Sequence, residues 1–157
     1  MSSLSHFETS SGRSSKGEAL ATVRAYAFLI ARVVLMFVIL ISGLVKVTTY
    51  EATARLMESA GVPGNLLPAI IAAEVLGAYA ILLGWKTRVV SLLLAAFIAA
   101  TAMIFHNQFG DPIQTNMLLK SLFIVGALLA LAGFGAGPLS LDGRKGAVRR
   151  DHGSLSP

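Results

Sequence analysis

The chain contains no cysteine, which excludes disulfides, iron–sulfur clusters and thiolate metal sites. Histidine is nearly as scarce: His6, His106 and His152 are the three, and two lie in polar terminal stretches. A bis-histidine haem within this chain alone is therefore not expected, nor is any other metal site. Charge is also thin. Only 13% of the 157 residues are Asp, Glu, Lys or Arg, against about 25% in a soluble domain, too few to coat a water-facing surface. What fills the chain instead is apolar: 55% of residues are hydrophobic and the mean hydropathy is +0.72. A bilayer removes the need for a charged coat.

The net charge of +5 raises nucleic acid as a partner. The basic residues flank apolar runs instead of forming a stripe between aromatics, so nucleic acid is excluded and the lipid bilayer is the expected partner. Residues 1 to 24 are rich in Ser and Gly and read as a disordered tail. The polar lead is too long, and the first apolar run longer than the 7–15 residues typical of a signal peptide, so that run reads as a retained anchor.

Four segments reach the length of about 17–25 apolar residues that a spanning helix needs: Tyr26 to Val47, Leu67 to Gly84, Val89 to Phe105 and Met117 to Phe134. Pro68 suits the first turn of the second, where its missing N–H costs nothing. FGAGP at 134–138 ends the fourth with glycine and proline. The runs are continuous, without the period-2 alternation of a membrane barrel. The expected fold class is all-α, an integral membrane four-helix bundle, in three parts: a tail at 1–24, the bundle at 25–142 and a basic tail at 143–157.

Four crossings put Arg13, Lys16, Arg24, Lys86, Arg88, Arg144, Lys145, Arg149 and Arg150 on one side, and Lys46, Arg55 and Lys120 on the other. The positive-inside rule then makes both termini cytoplasmic. Tyr26 and Trp85 at the inner boundary, with Tyr50 and Phe109 at the outer, fit an aromatic belt.

Helical spacing places polar residues on small-residue faces. Arg32, Met36, Ile39, Gly43 and Lys46 form a stripe on the first span, and Glu74 lies beside Ala73, Gly77, Ala80 and Gly84 on the second. Ser91, Ala95, Ala99, Ala102 and His106 follow on the third. Asn116, Lys120, Phe123, Ala127 and Ala130 follow on the fourth. A charge at mid-helix costs roughly 2.5–3.5 kcal/mol on insertion scales, so Glu74 needs a cation. Lys46, Lys120 and Arg32 are the candidates. Bland readings stand beside these: Arg32 snorkels to headgroups, His106 and Asn116 cap helix ends, and Asp111-Pro112 is a turn.

The runs ARVVLMFVILISGLVKV (31–47) and AGVPGN (60–65), Glu74 with Gly77, then GWKTR (84–88), FHNQF (105–109), NMLLKSLFIVGALL (116–129) and GFGAGPLSLD (133–142) resemble the DoxX family over residues 25–142. Matching pattern positions are Arg32, Gly43, Lys46, Glu74, Gly77, Arg88, His106, Asn116, Lys120 and Ser140-Leu141-Asp142. The resemblance implies a multi-pass protein of the bacterial inner membrane, in a family named for subunits of a thiosulfate:quinone oxidoreductase.

The leading functional expectation is a membrane subunit supporting quinone-linked electron transfer. Glu74 and His106 are its catalytic candidates, exchanging protons, and Lys46, Lys120, Asn116 and Arg32 its substrate-binding ones. No cofactor resides in the chain on this reading, and quinone is the one the polar residues suit. Expected protein partners are a soluble or membrane redox protein and a second copy of the chain. A non-catalytic anchor for a soluble enzyme is the alternative. A small transporter or proton path ranks last, because no broken helix is evident.

Overall fold

In the computed structural model, residues 4–106 and 110–144 are described, with side chains from residue 16 onward. Five α-helices follow in order: α1 (Leu4–Thr48), α2 (Tyr50–Ser59), α3 (Leu67–Leu83), α4 (Thr87–Phe105) and α5 (Pro112–Phe134). Four of them, α1 from Lys16 and α3 to α5, are long and apolar enough to cross a membrane. The chain is an all-helical bundle of four spans, with no strand among the described residues.

Two helix starts and one additional helix differ from the sequence reading. Helix α1 continues back from Tyr26 to Leu4, through most of the segment that composition assigns to a disordered tail. Residues 1–3, Phe109 and residues 145–157, which carry most of the basic tail, lie outside the described residues. Helix α2 was not anticipated, because its run of ten residues is too short and too polar to register as a span. Its polar Glu51, Arg55 and Glu58 are exposed while Met57 is buried, the pattern of a helix lying along an interface. Helix α5 starts at Pro112 with Asp111 as its N-cap, the Asp111 carboxylate accepting from the Ile113 N–H at 2.8 Å. Asn116 is therefore inside the first turns and not the cap.

Packing is sequential. Helix α1 lies chiefly on α3, α4 on α5, and α3 bridges to α4. The core joins Leu35 and Ile39 of α1, Ala78 and Ile81 of α3, Leu94 and Ala95 of α4, and Leu128 and Leu131 of α5. Gly77 permits the α3–α4 approach: a Cβ there would stand 2.7 Å from a Leu94 methyl carbon. Large apolar side chains such as Phe37, Leu76, Leu93 and Phe123 face outward, as lipid-facing residues must.

The two ends of the bundle are closed differently. At the end holding Arg24 and the α3–α4 turn, here the proximal end, residues 135–144 fold back under the helices. Gly84 ends α3 with φ +68, and Asp142 reaches the turn beyond it. The Asp142 carboxylate accepts from the Lys86 N–H at 3.0 Å and the Thr87 N–H at 2.8 Å, satisfying donors that a helix start leaves open. The Asp142 N–H in turn donates to the Gly84 carbonyl at 3.0 Å. At the distal end, Thr53, Leu56 and Met57 bring α2 beside the polar residues of α1, α3 and α4.

Candidate functional site

Glu74 enters the bundle two turns into α3, about 10 Å of rise from Leu67. It is 5% exposed, and a carboxylate that deep requires a partner. Lys46, in the last turn of α1, supplies it: Lys46 Nζ lies 2.9 Å from Glu74 Oε1 and 3.0 Å from Oε2. A third bond at 2.8 Å to Ser42 Oγ, one turn back on the same face, fixes the lysine's direction. Gly43 lies alongside the carboxylate, and a Cβ there would make ordinary contact with Glu74 Oε2 at 3.7 Å. Among the described residues this is the one salt bridge, and it joins two different spans.

The pair forms part of the wall of a cavity of about 240 Å³. Most of the wall is apolar, with Ile39, Leu67, Ile70, Ile98 and Ile124 among its residues. Its polar members are Ser42, Lys46, Thr53, Glu74, Thr101, Ser121 and His106. His106, just past the end of α4, pairs its Nδ1 with Gln114 Oε1 of α5 at 2.8 Å. With the amide oxygen as acceptor, Nδ1 is the donor of this bond, and in the neutral imidazole Nε2 is then an acceptor. Thr53, Leu56 and Met57 bring α2 over the same space.

Of the six candidates from sequence, Lys46, Glu74 and His106 therefore meet at one cavity. The other three do not. Asn116 and Lys120 are exposed on α5 and absent from the wall, because the inward face of α5 carries Ser121, Ile124, Leu128 and Leu131 instead. Arg32 is 1% exposed but lies at the proximal end, so it neither reaches Glu74 nor snorkels to headgroups. Its Nη2 donates to the Leu139 carbonyl, and Asp142 supplies opposing charge. Its Nε and Nη1, with Thr87 Oγ1 and Ser91 Oγ, are buried without a partner among the described residues, the situation ordered water relieves. Arg32 acts here as a brace between α1 and the folded-back segment.

Sequence reasoning missed Ser42 and Gln114. Ser42 lies one turn from Lys46, a spacing that places the two on one face. Gln114 lies seven residues before Ser121, on the face of α5 that turned out to be inward. Among the described residues no three His, Asp or Glu side chains gather as a metal would require.

Four apolar crossings, an ion pair held inside them and a capped proximal end define a small multi-pass helical membrane protein. The family model for DoxX matches residues 27–107, and the chain belongs to the DoxX family. It is 40% identical over 114 residues to the inner membrane protein YqjF of Escherichia coli (strain K12), covering 73% of this chain and 88% of that protein. It is 38% identical over 128 residues to the inner membrane protein YphA of the same organism, covering 77% and 91%. No solved structure matches the chain. Its place is the inner membrane, with lipid around the spans.

Proposed function

We propose that the chain is a membrane subunit of a quinone-linked oxidoreductase system, with the distal cavity receiving the quinone head group. The observation that carries this reading is the Lys46–Glu74 pair in the wall of an otherwise largely apolar cavity. Ionisable groups inside a membrane are expensive and cluster at functional sites. Ligand sites of this kind combine an apolar lining with a few fixed polar groups. A quinone head group presents two carbonyl acceptors on an apolar ring, which matches such a wall.

Reduction of a quinone takes up two electrons and two protons. Here Lys46 turns one N–H from the Glu74 carboxylate to one quinone carbonyl, Glu74 passes protons, and His106 accepts or returns one through Nε2. The electrons come from a partner redox protein, since this chain has no cysteine to hold a cluster. Asn116 and Lys120, exposed on α5, and Arg32, braced at the far end, take no part in the proposed chemistry. On this reading both termini are cytoplasmic, where positive residues concentrate, and the cavity lies in the extracytoplasmic half.

The test is reduction of added quinone by membranes carrying wild-type or Glu74→Gln protein at equal abundance. The variant is expected to lose about 100-fold or more, the scale at which a positioned acid or base contributes. An unchanged rate removes Glu74 from the mechanism.

A further inference from the structure

Helices α1 and α5 are the outer members of the sequential packing and meet over few residues, so the seam between them is thinly closed. A groove of about 380 Å³ runs along it, lined by Phe28, Ala31, Val34 and Leu35 on α1 and by Ala127, Ala130, Leu131 and Phe134 on α5. The small side chains of Ala31, Ala127 and Ala130 make the hollow. It extends from Phe28 to Leu35, seven steps and about 10 Å of rise, inside the roughly 15 Å of one leaflet's hydrocarbon.

The mouth of the groove is at the proximal end, where Phe28 and Phe134 approach with ring centroids 6.5 Å apart. Two arginines lie at this end of the groove. The Arg24 guanidinium lies 5.7 Å from the Phe28 ring centroid on the α1 side. On the α5 side, Arg88 Nε lies 3.6 Å from where a Cβ on Gly135, the residue after Phe134, would stand. Neither arginine is in a salt bridge among the described residues. Trp85 and Tyr26, exposed at the same level, mark the headgroup region.

We infer that the α1–α5 groove is a binding site for an anionic phospholipid. One acyl chain fills the hollow, and the headgroup phosphate is held by Arg24 and Arg88. An apolar slot with cations only at its headgroup end fits an amphiphile that is negative at one end. A second copy of the chain would supply apolar helix to the slot, but at this end it presents Lys16, Arg24, Lys86 and Arg88 against Glu18, adding more positive than negative charge beside the two arginines. The site is separate from the distal cavity and does not depend on the quinone reading.

The test uses the full-length protein purified in mild detergent, incubated with equal phosphatidylglycerol and phosphatidylcholine, with retained lipid counted by native mass spectrometry. Wild type is expected to favour phosphatidylglycerol. Arg24→Gln/Arg88→Gln, changed only at exposed side chains, is expected to bring the preference to parity, at about fivefold per arginine. Ala130→Trp, which fills the hollow, is expected to retain less of both lipids at unchanged helical content. Equal retention by wild type overturns the inference. So does a preference that survives loss of both arginines, or lipid retention indifferent to Ala130→Trp. A disulfide-linked dimer formed efficiently through Ala130→Cys assigns the groove to a second copy and overturns it as well.

Discussion

Glu74→Ala is expected to destabilise the protein by about 2–3 kcal/mol, somewhat below the 3–5 kcal/mol typical when one partner of a fully buried pair is removed. The discount reflects Lys46, whose side chain is 25% exposed while that of Glu74 is 7% exposed. The cost arises because Lys46 keeps its charge inside the bundle after its counter-charge has gone. The double variant Lys46→Met/Glu74→Met removes both charges and keeps similar volume, so it is expected to recover most of the loss. A double-mutant cycle on unfolding in mixed micelles, followed by circular dichroism, reads the coupling directly. Additive losses mean the two groups do not meet.

Gly84→Val is expected to cost about 2–5 kcal/mol, summing roughly 1–2 for a left-handed residue with a side chain and 1–3 for overpacking. Gly84 has φ +68, and a Cβ there would clash with Arg32 Nη1 and the Ser140 Cβ. The new side chain must displace the brace of Arg32 or lift residues 139–142 off the α3–α4 turn, releasing the Asp142 carboxylate from Lys86 and Thr87. Gly126→Ala is the control. It has nothing within 4 Å of its Cβ position, so it is expected to match or slightly exceed wild type. Equal midpoints for Gly84→Val and Gly126→Ala contradict the described proximal closure.

Some of this architecture was plain in the residues. Apolar length alone located four spans, and the Arg32–Lys46 stripe on α1 is the face that turns inward. A buried carboxylate at Glu74 demanded a cation, and helical spacing placed Lys46 and His106 near enough to share a cavity with it.

The phase of α5 was not legible, for a physical reason. That helix is apolar all round, so its periodicity hardly separates the face with Asn116, Lys120 and Ala127 from the face with Ser121, Ile124 and Leu128. Small residues were read as a packing seam, and on α5 they instead hollow the groove beside α1. Lysine near a span end tolerates an outward position because its stem lies along lipid while its ammonium reaches the headgroups. The partner of Arg32 was hidden differently. Leu139 stands 107 positions away, in a segment with no helical period, and only its glycines, Pro138 and Asp142 signalled a structured turn.

The proposed function stands most directly on what the distal cavity holds. Protein purified in mild detergent from quinone-containing membranes is to be extracted with organic solvent and its quinone counted per chain, for wild type and for Glu74→Gln of equal helical content. The expected result is close to one quinone per wild-type chain and a small fraction of that for the variant. Equal quinone in both, or none in wild type, contradicts the assignment of the Lys46–Glu74 cavity to a quinone head group.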